Sequence, residues 1–102
     1  MTDRNLTAAE ESYDLSKTDG EDIGHGVRVA IGSHGAIVRH SKPDGRPCIL
    51  AVWFADAVDE MPNRPVWQRQ SKEPLTLSPS IACLSVGCGL HGYIRDGKWA
   101  PA

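Results

Sequence analysis

The sequence predicts a small, mainly β domain that is closed near its C-terminus by a metal-supported hairpin. Three observations predict this fold. Apolar and polar residues alternate within short runs. Turns that contain glycine or proline separate these runs. Two cysteines and a histidine lie close together near the end of the sequence. We expect five to seven short antiparallel strands within residues 23–102, preceded by a flexible acidic tail over residues 1–22.

The first half of the domain contains the clearest strand candidates. Residues 27–31 and 36–40 are separated by a glycine-bounded turn, and the first of these runs alternates with period two. A proline and an Asp-Gly pair in residues 42–47 then predict a tight turn. Residues 48–54 are almost continuously apolar, which is typical of a strand buried on both faces at the centre of a sheet.

The second half contains shorter strand candidates, each bounded by glycine, proline or serine. These runs are residues 66–70, 75–77, 93–95 and 98–100. The stretch Ser78-Pro-Ser80 redirects the chain into residues 81–83. Asp96-Gly97 between the last two runs predicts a two-residue hairpin. Residues 55–60 fit one helical turn, and we expect Trp53, Trp67 and Trp99 to lie mainly in the core.

Residues 1–22 carry seven acids against two bases, whereas residues 23–102 carry nine bases against six acids. The sequence Thr7-Ala-Ala-Glu10 fits a capping box and favours a short helix near residues 8–15. The alternative is a solvated tail without fixed structure. The small basic excess of the domain does not predict nucleic-acid binding.

The absence of a long apolar run argues against a membrane span, and we expect a cytoplasmic protein. In that compartment cysteines remain reduced, so thiols beside a histidine favour metal binding over a disulfide. A domain of this size has a limited core, and a bound metal is a common source of additional stability.

The strongest pattern is the metal knuckle Cys88-Gly-Leu-His91, with Cys83 five residues earlier. Glycine permits the backbone to curl so that two side chains face one ion, and a thiolate and imidazole donor set favours zinc. A structural zinc site requires a fourth ligand. Cys48, His40 and His34 are the candidates, and the alternative to a metal site is a set of buried thiols.

The sequence assigns no catalytic residue, since no HExxH, P-loop or GxSxG pattern is present. The C-terminal residues, LSPS at 77–80, then Cys83, Cys88 and HGYIRDGKW at 91–99, resemble a family of small bacterial and phage proteins of unknown function. Members end in LSPS, CxxCxxHG and (F/Y)IR(D/E)G(K/R)W, and some are labelled "ammonia monooxygenase", an activity for which this short chain gives no physical reason. The longer spacing between Cys83 and Cys88 departs from that pattern.

Relatives of that family occur beside bacterial ubiquitin-like conjugation genes, so the resemblance implies an accessory role. We therefore predict a non-enzymatic, zinc-stabilised protein of bacterial or phage origin that binds another protein. One alternative is a small zinc-dependent hydrolase whose fourth ligand is water. The other is a nucleic-acid-binding zinc module. Its basic residues would be Arg28, Arg39, Lys42, Arg46, Arg64 and Arg69.

Overall fold

The computed structural model describes residues 7–58, 65–83 and 88–102. Over these residues the chain forms one helix and nine strands. In chain order they are α1 (Ala8–Ser16), β1 (Glu21–Gly24), β2 (Val27–Ile31), β3 (Gly35–Ser41), β4 (Pro47–Trp53), β5 (Gln68–Lys72), β6 (Leu75–Ser78), β7 (Ile81–Ala82), β8 (His91–Arg95) and β9 (Lys98–Pro101). The prediction of a mainly β domain with short antiparallel strands is confirmed, although the described residues form nine strands where five to seven were expected.

The strands form three antiparallel groups, in the orders β1-β2-β3-β4, β5-β6 and β7-β8-β9. The apolar run of residues 48–54 becomes β4, which pairs with β3 over its whole length. The prediction that this run lies at the centre of a sheet and is buried on both faces is wrong, because β4 is the last strand of its group and Ile49 on it is exposed. An isolated parallel bridge between Phe54 and Trp67 continues from the end of β4 towards β5. Strand β6 contacts β8, which joins the second group to the third.

One hydrophobic core lies between these groups, and all three tryptophans are buried in the protein. Every strand except β5 contributes side chains to the core, and none of the buried members comes from α1. Its buried members are Ile23, Val27, Val29, Ala36, Val38, Val52, Phe54, Trp67, Leu75, Leu77, Ile81, Ile94 and Trp99. The expectation that the tryptophans pack mainly inside the domain agrees with this arrangement.

The turns follow the local chemistry of the sequence. Asp96 and Gly97 both have positive φ, at 51° and 73°, as the tight hairpin between β8 and β9 requires. Gly45 has a φ of 88° in the turn between β3 and β4. Residues 55–57 form a turn, while residues 59–60 of the expected helical turn and Arg64 lie outside the described residues.

The acidic segment is more ordered over residues 7–22 than a flexible tail would be. Thr7 and Glu10 form the capping box at the start of α1, and β1 begins at Glu21, ahead of the expected boundary at residue 23. Further along the helix, Glu11 accepts hydrogen bonds from the backbone amides of Ser33 and His34, both at 2.8 Å. Because these contacts join α1 to the turn between β2 and β3, the helix is part of the domain.

The Glu11 contacts predict a pH-dependent contribution to stability. Burial disfavours the charged carboxylate, but the hydrogen bonds from His34 and Ser33 outweigh burial and lower the pKa of Glu11 from its usual value. This contribution is therefore complete above the pKa of the unfolded chain and is lost as the pH falls through the lower pKa of the folded protein. Glu11→Gln should lower the free energy of unfolding at neutral pH by about 1–2 kcal/mol.

Urea unfolding at neutral and acidic pH measures this effect, and the difference between wild type and variant should shrink in acid. Asp14→Asn is the matched control, since Asp14 lies exposed on the same helix. A difference that is constant with pH would contradict the assigned role of the carboxylate.

Candidate functional site

Three cysteines and one histidine form a buried cluster beside the main core. The turn between β3 and β4 places His40 directly opposite Cys48 on the paired strands. Cys83 follows β7, and Cys88 lies shortly before β8. Each of the four residues is less than one tenth exposed, and their donor atoms all lie within 4.8 Å of one another.

The spacing of the donor atoms is close to that of a four-coordinate metal site. Cys48 Sγ lies 3.4 Å from Cys83 Sγ, and Cys88 Sγ lies 3.2 Å from His40 Nε2. Around zinc, bonds of about 2.3 Å to sulfur in a tetrahedron separate two thiolates by about 3.8 Å. Three thiols and one imidazole are also donors of the type that structural zinc sites use, so the residues fit this metal.

The cluster environment affects the protonation of the Cys88 thiol. Burial is the main cause that raises the pKa of Cys88, and the neighbouring thiols of Cys83 and Cys48 raise it further. A metal ion supplies the positive charge that stabilises thiolates in such a place.

The structure does not bring His91 or His34 to this cluster, although the sequence made both of them candidate ligands. His91 is exposed at the start of β8, and its Nε2 atom lies 3.0 Å from the hydroxyl oxygen of Ser80. His34 lies in the turn between β2 and β3, where its Nδ1 atom is 3.4 Å from Glu11 Oε1. The local spacing of Cys88 and His91 suggested a shared ion, but β8 directs the His91 ring towards Ser80.

Ser80 and His91 form a serine–histidine pair at the junction of β7 and β8. Ser80 immediately precedes β7, while Ala82 of β7 pairs with His91. The carbonyl oxygen of Ser80 accepts a hydrogen bond from the indole nitrogen of buried Trp67 at 3.2 Å. A serine hydroxyl at this distance from an imidazole nitrogen is the arrangement that general-base activation of a nucleophile requires.

A second group contains a serine, a histidine and a carboxylate but has a different connectivity. Glu11 accepts hydrogen bonds from the backbone of Ser33 and His34 and from the Ser33 side chain. The hydroxyl of Ser33 therefore contacts a carboxylate and not an imidazole, whereas activation of a serine nucleophile needs the imidazole. This group serves to attach α1.

The basic residues that a nucleic-acid interface would use are largely engaged within the protein. Arg28 donates to the carbonyl oxygens of Asp19 and Gly20, and Arg39 donates to the carbonyl oxygen of Ser16. Arg69 pairs with Asp56 at 2.9 Å. These arginines hold the acidic segment and a loop against the domain, so they do not form a free basic surface.

A family model described as bacterial ubiquitination-like system serine protease (BubE) matches residues 29–102. The match covers well over half of the chain. The chain belongs to the BubE family. The region that matches the BubE family includes Ser80, His91 and all four residues of the Cys/His cluster, whereas Glu11 lies outside it.

Searches of curated proteins and of solved structures each returned no match. None of the helices in the described part of the chain has the length and apolar character needed to span a bilayer. The BubE family match indicates a bacterial protein.

The sequence does not identify Ser80 as a candidate functional residue. It lies eleven positions before His91 and stands in none of the catalytic patterns that were considered. The pairing of β7 with β8 brings the two residues together, and no local spacing reveals that pairing. The one sequence feature that marks Ser80 is the run Leu77-Ser-Pro-Ser80, which is part of the family resemblance.

Proposed function

We propose that this chain is a serine hydrolase of a bacterial ubiquitination-like system, with Ser80 as the nucleophile and His91 as the general base. The single observation that carries the proposal is the 3.0 Å distance between Ser80 Oγ and His91 Nε2 in a member of a family described as a serine protease. The substrate is a protein of the same system, and the bond cleaved joins an acyl group to nitrogen or oxygen.

The geometry supports a two-step acyl transfer. Ser80 Oγ attacks the substrate carbonyl while its proton moves to His91 Nε2, and the leaving amine or alcohol then takes that proton. Water attacks the resulting acyl-serine, and His91 accepts a proton from it and returns one to Ser80. Because His91 is exposed at the start of β8, a protein substrate has direct access to the pair.

The buried cluster has a separate, structural role in this proposal. His40, Cys48, Cys83 and Cys88 hold one zinc ion, which stabilises the small domain and joins β3 and β4 to the segment between β7 and β8. Four protein ligands leave no position open for a reactive water, which is the difference between structural and catalytic zinc sites. This donor set supports the structural assignment over a hydrolase that uses zinc. Metal analysis of protein purified without chelator tests it, with one zinc per chain as the expected result.

A covalent probe tests the serine–histidine pair directly. A fluorophosphonate should react with Ser80 Oγ, forming a phosphorus–oxygen bond as fluoride leaves, and peptide mapping should place the adduct on Ser80. His91→Gln should lower the labelling rate by about 10²-fold or more, because the general base is lost. His25→Gln is the control, since His25 lies in the exposed turn between β1 and β2.

A folded, zinc-containing protein without an adduct on Ser80 would overturn the hydrolase proposal. That result would favour the second candidate, a non-enzymatic zinc-stabilised accessory protein that binds another protein of the system. The closed four-residue cluster favours this candidate, because such a site stabilises a fold without taking part in a reaction.

A further inference from the structure

We infer that the Cys/His cluster is the positioning element of the Ser80–His91 pair, so that metal loading regulates the hydrolase without the metal touching substrate. This inference rests on the proposed function and adds to it a dependence of catalytic rate on the metal. The cluster residues are positioning residues, since they act on the reacting side chains only through the backbone.

The chain path connects the two sites almost symmetrically. Cys83 lies three residues after Ser80, and Cys88 lies three residues before His91. The amide of Cys83 donates to the carbonyl of Leu90 at 2.9 Å, directly beside the backbone of His91. The cluster thus holds both ends of the connection between the nucleophile and the base.

Among the described residues, the strand pairing across this junction is short. Strand β7 consists of two residues, and its register with β8 contains two residue pairs. Buried Ile81 and the Trp67 hydrogen bond hold the Ser80 side of the junction. On the other side, the His91 ring is exposed, so burial does not fix its orientation relative to Ser80.

The other side of the cluster lies on a longer strand ladder. His40 and Cys48 are a cross-strand pair in the seven-residue strands β3 and β4. A metal bound by all four side chains would tie the short β7–β8 junction to this longer ladder. Without a metal, the thiols interact through weak S–H hydrogen bonds, which constrain the junction much less than four metal–ligand bonds do.

A small displacement at the junction has a large kinetic effect. Misplacing a reacting group by about 1 Å costs about 10²-fold in rate. We therefore expect removal of the metal to lower kcat for p-nitrophenyl acetate by about 10- to 10²-fold, with KM changed by about 2-fold or less. The rate of fluorophosphonate labelling per folded molecule should fall in parallel.

The experiment compares zinc-loaded, cadmium-loaded and metal-free forms of the full chain. Near-ultraviolet circular dichroism of the buried tryptophans gives the folded fraction, and hydrogen exchange at the Cys83 amide reports the junction itself. Metal removal should accelerate exchange at Cys83 and lower the labelling rate together. The control is zinc-loaded Val27→Ala, which weakens the core by about 2 kcal/mol and should label at the wild-type rate per folded molecule.

Equal labelling rates in folded zinc-loaded and metal-free protein would overturn this inference while leaving the hydrolase proposal intact. If the metal-free chain does not fold, the cadmium form decides. Cadmium is a larger ion that also binds thiolates, so the cadmium-loaded protein should fold. It should react with the fluorophosphonate more slowly than the zinc-loaded protein, and equal rates of the two forms would overturn the inference. Failure of the zinc-loaded wild type to label Ser80 would instead overturn the proposed function.

Discussion

Ser80→Ala should lower the hydrolysis of p-nitrophenyl acetate by on the order of 10³-fold, because removing the nucleophile abolishes the acyl-serine step. The ester is activated and needs no specific recognition, so its hydrolysis tests the reacting groups alone. Ser80 accepts the Trp67 hydrogen bond through its backbone oxygen, and alanine retains that acceptor. Steady-state release of p-nitrophenol measures the loss.

Ser78→Ala is the matched control for this experiment. Ser78 lies two residues earlier, and its hydroxyl oxygen accepts a hydrogen bond from exposed Gln70. This variant should retain wild-type activity and the same melting temperature. Equal rates for Ser80→Ala and Ser78→Ala would show that the observed hydrolysis arises elsewhere on the protein surface.

Cys48→Ser should lower both metal content and thermal stability. Wild-type protein should contain one zinc, and the variant should lose most of it, because serine is a much poorer ligand than a thiolate. A ligand present at 1,000 times its dissociation constant stabilises a fold by about 4 kcal/mol. For a domain of this size, such a loss corresponds to a fall of roughly 15–30 °C in the melting temperature.

Elemental analysis and thermal melting with and without EDTA measure this effect. His91→Ala provides the comparison, since the His91 ring contacts Ser80 outside the cluster. That variant should retain zinc and melt near the wild-type temperature. Zinc loss in His91→Ala, or metal-free wild type whose melting ignores EDTA, would contradict the assignment of His40 as the fourth ligand.

Most of the strands could be predicted from the sequence because their determinants are local. The alternation in Val27–Ile31, the apolar run in Pro47–Trp53 and the Asp96-Gly97 turn each specify an element within a few residues. Strand β1 was not predicted, since a short stretch with two acids lacks an apolar pattern. Its structure depends on pairing with β2, which is a tertiary effect.

The metal cluster was predictable in part. The sequence makes Cys83, Cys88, Cys48 and His40 candidate ligands, and all four lie in the cluster. The short spacing from Cys88 also made His91 a candidate, but its ring lies beside Ser80. The turn at residues 42–47 is the sequence feature that relates His40 to Cys48. A hairpin centred on Asp44 places His40 opposite Cys48, so these two residues approach one site together instead of competing for it.

The serine–histidine pair was less accessible to sequence reasoning. Catalytic pairs are defined by geometry, and their members lie at unrelated spacings in different folds. Ser80 and His91 come together because a very short strand pairs with β8 across a connecting segment. No periodicity marks a two-residue strand, so the position of Ser80 relative to His91 required the folded structure.

Strand β1 also has a consequence for the behaviour of the protein in concentrated solution. It covers the outer edge of β2, although β1 itself precedes the region matched by the family model. Glu21 and Asp22 are exposed on this outermost strand. Charged side chains on an edge strand discourage other molecules from adding strands to it. The acidic segment thus places negative charge at this edge of the sheet, where it opposes the addition of a further strand.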